Sequence, residues 1–417
     1  MPDEHNISES MRTNSCRKLT TGNGLLRLLL VLLCAGTIVS CNTDQSSQDL
    51  KAVNFDSSID PVTNRLLVSN RVDTTNANVE QIVALYENYL NGSPDSLYDN
   101  PYWNENEKRD YEEYDFSRIS LFTGITAEQL RQIYTPFVLS VEPVGQEEYV
   151  IKVLFSNAQT HPAYAGSRVW CIHKVLATLE RGEWKLKNYI NHLTTDWTSR
   201  DYGVIRYIYP PTHVFDSNQA LKAVEFCQTI IDQYNTTYDD SFNYYLAANV
   251  DQMGELENFD YYFAGITTGK AREGMILASR GDEFYPHEFV HKLLKDNPKR
   301  GYIIEEGLAT FLGTREDKEE YNRVMRRLAG DYLVTESYTF EEVYSNRTMW
   351  RGYAVAYPAG AAICEVVYGQ AGVAGLQRLS EANTTDFTNL MNSVSEITKL
   401  PEAQIEKLVR EVIYRYD

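Results

Sequence analysis

The stretch Tyr285-Pro286-His287-Glu288-Phe289-Val290-His291-Lys292-Leu293-Leu294 decides how the rest of the chain is read. Its two histidines are four residues apart. On a helix they lie about 40° apart around the axis and one turn apart along it, so both imidazoles can face one metal ion. Glu288 lies on the adjoining face, within reach of a water held by that ion without being a ligand. A helix is expected locally. Pro286 suits a first helical position, where its missing N–H costs nothing. Phe289, Val290, Leu293 and Leu294 supply an apolar flank at helical spacing.

A hydrolytic metal site takes three protein ligands and keeps one position open for water. His291 is the last histidine in the chain, so a third ligand downstream is a carboxylate or Cys364. Glu305-Glu306-Gly307-Leu308-Ala309-Thr310 follows closely. Spacing alone does not choose between Glu305 and Glu306. A metzincin pattern is excluded, because it needs Gly and His where this chain has Leu294 and Asn297.

Taken together, the two segments resemble the gluzincin zinc metallopeptidases, most closely the aminopeptidase N-like and peptidase MA-like families. There Glu-Gly-x-Ala follows the His-Glu-x-x-His helix, as Glu306-Gly307-Leu308-Ala309 does here. The spacing from His291 is a little shorter than in the aminopeptidases, which bears on the subfamily. The resemblance covers residues 204–417 and implies hydrolysis of peptide bonds with one Zn2+ ion. It implies His287, His291 and Glu306 as ligands and Glu288 as the base that activates water. Glu305 is then a solvated neighbour or a group that orients a ligand. In the aminopeptidase relatives a Tyr-x-x-Gly helix supplies a tyrosine to the oxyanion. Tyr357-Pro358-Ala359-Gly360 has that form, with Tyr353 as its competitor. The strand expected at Gly274–Ser279 would be the edge strand along which a substrate backbone lies. The alternative is a zincin fold without catalysis, kept to bind a peptide, protein or glycan. Hydrolysis of a non-peptide amide, such as a cell-wall component, would use the same chemistry.

Composition bounds the remaining choices. The 417 residues are 43% hydrophobic and 23% charged, which is globular, and too long for one ordinary core. The net charge of −19 argues against nucleic acid as a partner, since phosphate binding needs a basic surface. Arg12, Arg17 and Lys18 precede an apolar run from Leu25 to Ile38, which reads as an export signal, with Met11 a possible initiator. The run ends in Ile38-Val39-Ser40-Cys41, which resembles the lipobox of bacterial lipoproteins. That implies cleavage before Cys41, lipidation of it, and a membrane-anchored place in the cell envelope. Asn42 points to the outer membrane. Only Cys171, Cys227 and Cys364 follow, an odd number at wide spacing, so each is expected to be a buried small hydrophobe rather than part of a disulfide framework. The sequence sets no oligomeric state.

The expected organisation is a signal at 1–40, a polar tether at 41–55, an accessory domain at 56–203 and the metallopeptidase-like domain at 204–417. The accessory domain reads as helix first, on Val79, Ile82, Val83, Leu85, Tyr86 and Leu90. A capping sequence at Thr126–Gln129 follows, then strands at Phe137–Val144, Glu148–Phe155, Val169–Leu179 and Trp184–Leu193, with a hairpin turn at Arg181-Gly182. This order is similar to the cone-shaped domains of the nuclear-transport-factor and ketosteroid-isomerase superfamily. His161, His173 and His192 are scattered there and read as structural. Strands at Val204–Tyr209, Phe242–Leu246 and Gly274–Ser279 and a helix after Asp216-Ser217 precede the motif. After it the chain reads as helical: 303–312, 316–328, 340–345, 355–368, 373–381 and 401–415. The fold class is α+β.

Overall fold

In the computed structural model, residues 66–92, 100–111, 114–122, 130–131, 133–157, 168–234, 241–263, 265–272, 274–334, 339–345 and 355–417 are described. The apolar run at 25–38, Cys41, the tether, the capping sequence at 126–129, His161 and Tyr353 lie outside them.

β1 (Leu67–Val68) leads into α1 (Ala77–Asn91). Asn76 opens this helix by accepting the N–H groups of Asn78 and Val79. Val79, Ile82, Tyr86, Tyr89 and Leu90 then share one buried face. The short helices α2 (Glu105–Asp110) and α3 (Arg118–Leu121) precede four antiparallel strands. These are β2 (Thr135–Pro143), β3 (Glu148–Ser156), β4 (Val169–Glu180) and β5 (Glu183–Lys187). Arg181 and Gly182 have φ of 53° and 86°, the conformation of a two-residue hairpin turn. Register shifts between β2 and β3 and between β3 and β4 mark bulges, which bend a sheet, and α1 packs on β2 and β5. His173 is buried here, with Nδ1 2.7 Å from the Tyr86 hydroxyl and Nε2 2.8 Å from Ser117 Oγ.

The strand expected over Trp184–Leu193 stops at Lys187. The Asn188 N–H donates to the buried Glu107 carboxylate (2.8 Å) instead of continuing the ladder, and Ile190–Leu193 closes as a helical turn, α4. β6 (Thr198–Tyr202) and β7 (Ile205–Tyr209) then form a hairpin that starts a second sheet. α5 (Ser217–Tyr234) follows, with Asp216 accepting the N–H groups of Asn218 and Gln219. Next come β8 (Phe242–Leu246), α6 (Val250–Leu256), β9 (Phe259–Tyr262), β10 (Gly269–Arg272) and β11 (Met275–Ala278). The second sheet runs β10-β11-β8-β7-β6, while β9 returns to pair with β4 in the first. Strand pairing therefore crosses position 203/204 in both directions. β6 was not legible because Thr-Ser-Arg-Asp-Tyr is polar and exposed, as an edge strand can be.

The joint between the sheets is apolar and ionic. Phe116, Met253, Leu256 and Met275 share one cluster. Lys270 Nζ and Arg272 Nη2, both on β10, meet Glu257 Oε1 at 2.6 and 2.8 Å, and Arg272 also donates to the Phe116 carbonyl.

The remainder is helical: α7 (Pro286–Leu293), α8 (Tyr302–Leu308), α9 (Lys318–Val334), α10 (Phe340–Ser345), α11 (Ala356–Glu381), α12 (Phe387–Thr398) and α13 (Glu402–Tyr414). Between α8 and α9, Ala309–Gly313 winds as a π-helical turn. Gly372, at φ 62° and ψ −156°, kinks α11 where two helices were expected. α11 is long and apolar enough to cross a membrane, yet Ala359, Ile363 and Val367 pack in the core. Cys171, Cys227 and Cys364 are free and buried. The architecture is α+β with a helical C-terminal half, as expected.

Candidate metal centre

Pro286 occupies the first turn of α7, and Phe289, Val290 and Leu293 sink into the core, with the Phe289 ring 5.4 Å from that of Tyr244. That burial turns His287 and His291 the other way. Their Nε2 atoms lie 3.2 Å apart. Glu306, from α8, brings Oε2 to 3.3 Å from His287 Nε2 and 3.4 Å from His291 Nε2. Three donor atoms thus converge within 4.8 Å of one another, and the three residues can hold a metal ion.

The donors themselves argue for a cation between them. Glu305 Oε1 lies 3.2 Å from His291 Nδ1, and a carboxylate can only accept, so Nδ1 carries the proton and Nε2 a lone pair. Thr314 Oγ1 lies 3.4 Å from His287 Nδ1 and, as a hydroxyl, can accept that ring's proton or donate to it. Glu306 is buried, and among the described residues neither of its oxygens has a hydrogen-bond partner. Converging lone pairs beside an unbonded buried carboxylate are costly without a positive charge.

Glu305 is not a solvated neighbour. Its second oxygen takes Nε of Arg300, a buried guanidinium that also donates to the carbonyls of Ser380 and Lys295. Against the push of burial, His291 and Arg300 hold the Glu305 carboxyl down at about 2. The chain Arg300–Glu305–His291 fixes one ring's orientation and tautomer.

Glu288 lines a cleft of about 340 Å3 together with His287, Tyr285, Thr310 and Tyr357. Its Oε2 is buried without a hydrogen-bond partner, and the Ala271 N–H donates to the carboxylate. Burial pushes this carboxyl above its usual range, and Glu306 adds to the push while the imidazoles oppose it. The edge strand β10 comes so close that a methyl on Gly269 would lie 2.6 Å from Glu288 Oε1. The Tyr357 ring stacks on His287, with centres 5.4 Å apart and planes at 23°.

The structure brings together His287, His291, Glu306, Glu288 and Tyr357. Cys364, the formal alternative ligand, is buried within α11 and is no part of the group. One expectation is corrected. The strand at Met275–Ala278 is not an edge: it is flanked by β10 and β8, and β10 is the edge beside the cleft. A four-residue strand reading Gly-Lys-Ala-Arg, its two charged residues buried, carries too little apolar pattern to be read. Arg300, Thr314 and Gly269 were also missed. They reach the site from loops and an edge, where no periodicity marks them. No protein-family model matches the chain, and no curated protein matches it.

Proposed function

We propose that the chain is a zinc-dependent peptidase of the gluzincin kind, anchored in the cell envelope by a lipid on Cys41. The observation that carries this reading is the convergence of two imidazole Nε2 atoms and an unbonded carboxylate oxygen beside Glu288, which opens on a cleft. Two nitrogen donors suit zinc better than magnesium or calcium, which take oxygen. When bound, zinc supplies a Lewis acid that polarises a carbonyl and acidifies water.

The protein's own groups then have distinct tasks. His287 and His291 present neutral Nε2 atoms, and Glu306 stays ionised. Glu288 takes a proton from the attacking water at Oε2 and delivers it to the leaving nitrogen, for which a raised pKa is suited. Tyr357 is at hand to donate its hydroxyl proton to a developing oxyanion, its ring held against His287. β10 offers an edge along which an extended peptide can lie. A net charge of −19 argues against nucleic acid as the substrate.

Metal content by mass spectrometry and peptide hydrolysis test this together. About one zinc per chain is expected, lost in Glu306→Ala. Glu288→Gln is expected to keep the metal and lose hydrolysis by roughly 100-fold or more. A metal-free wild-type protein, or equal hydrolysis by wild type and Glu288→Gln, defeats the reading. Loss of lipid labelling in Cys41→Ala is expected; unchanged labelling removes the anchor.

A further inference from the structure

The cleft carries two charged side chains outside the candidate metal group and Glu288, and they are differently engaged. Glu320 and Arg280 both line it. Glu320 is bound to another partner: its two oxygens take Nε (2.7 Å) and Nη2 of Arg323, one turn on in α9. Arg280 follows the end of β11. Among the described residues no carboxylate pairs with its guanidinium within 4.0 Å, although Asp282 and Glu320 lie near enough to act on its charge. What positions it is an aromatic platform. The guanidinium carbon lies 4.7 Å from the centre of the Tyr285 ring. That ring is fixed in turn, with its hydroxyl 3.3 Å from Thr268 Oγ1 and its centre 6.4 Å from that of His287. The two ring distances hold the guanidinium within roughly 11 Å of the His287 imidazole, about three residues of extended peptide.

On the peptidase reading, from which this follows, we infer that Arg280 is a specificity-determining residue that takes a carboxylate of the substrate, within about three residues of the bond cleaved. A planar guanidinium presents a fork that matches a carboxylate, and its seat over the Tyr285 ring limits where it lies. The chain is strongly acidic, so its general field repels an acidic peptide. A cation in the cleft wall without a carboxylate in direct contact supplies local attraction where that field opposes entry. A C-terminal carboxylate and an Asp or Glu side chain offer the same group.

The test uses zinc-loaded protein carrying Glu288→Gln, so that peptides bind without turnover. Anisotropy is measured with three matched labelled peptides: a neutral amidated one, the same sequence with a free C-terminus, and the amidated sequence with one Glu. A carboxylate peptide is expected to bind roughly tenfold or more tighter than the neutral one. Which of the two does so identifies the source of the carboxylate. Arg280→Gln brings that ratio to about one, and Arg280→Lys leaves it intermediate, because an ammonium keeps the charge without the fork. Equal affinities for all three peptides, or a preference that survives Arg280→Gln, overturn the inference. Hydrolysis of an unbiased peptide mixture by the wild type is scored separately. Turnover without a carboxylate preference defeats Arg280 alone, a preference without turnover defeats the peptidase reading alone, and absence of both binding and turnover defeats both.

Discussion

Gly307 and Gly360 cross backbone on backbone: a methyl built on Gly307 would lie 2.5 Å from the Gly360 α carbon. The contact joins the two helices that supply Glu306 and Tyr357, one residue and three residues away in sequence. Two small residues thereby set how near the tyrosine stands to the metal-holding group.

Gly307→Ala is therefore expected to destabilise the protein by about 1–3 kcal/mol, since the atoms it meets are backbone and cannot swing aside. Gly330→Ala is the control. Gly330 lies within α9 with nothing within 4 Å of an added methyl. Alanine there should stabilise by about 0.5–1 kcal/mol. Urea midpoints of the three proteins check this. Equal midpoints for wild type and Gly307→Ala would show that the helices separate freely.

Glu305→Gln addresses the ring behind the metal-holding atoms. The amide oxygen can still accept from His291 Nδ1, but the charge that balances the buried Arg300 is lost. Metal affinity should fall by about 10- to 100-fold, as when a ligand's supporting carboxylate is removed. Competition against a chelator of known zinc affinity measures it. An unchanged affinity would return Glu305 to the role of a bystander.

The parts of this site that were legible in sequence are those set by one helix. His287, Glu288 and His291 are related by helical geometry alone. Glu306 needed a resemblance, because Glu305 sits beside it at equal plausibility, and only three-dimensional placement separates the oxygen facing both Nε2 atoms from the one behind the ring. Arg300, Thr314 and Gly269 converge from a loop, a turn and an edge strand, and such convergence leaves no periodic trace. In the fold, largely buried strands were found within a residue or two, as at Phe242–Leu246, whereas β5 ended six residues before the expected Leu193. Exposed β6 and four-residue β9 and β10 were not found. The helix at 387–398 carries a local signal that escaped the sequence reading: Asp386 caps it, and Leu390, Met391, Val394 and Ile397 form its buried face.

Glu107 makes a prediction about pH that is independent of the metal. One of its oxygens receives the Asn188 N–H (2.8 Å), the Asn188 side-chain amide (2.7 Å) and the Trp103 indole N–H (3.3 Å), while the other is buried without a partner. Burial outweighs these donors and pushes the carboxyl up from 4.5 to about 7. The folded protein therefore binds a proton that the unfolded chain has already released. The stability this contributes is complete below the unfolded value and is lost as pH rises through about 7. Glutamine cannot titrate. The stability of Glu107→Gln relative to wild type should thus shift in favour of the variant by about 2–3 kcal/mol between about pH 5 and pH 8. Urea unfolding of both proteins at the two pH values measures the shift. A difference that does not change with pH would mean that Glu107 is ionised throughout, with its donors, not its burial, in control.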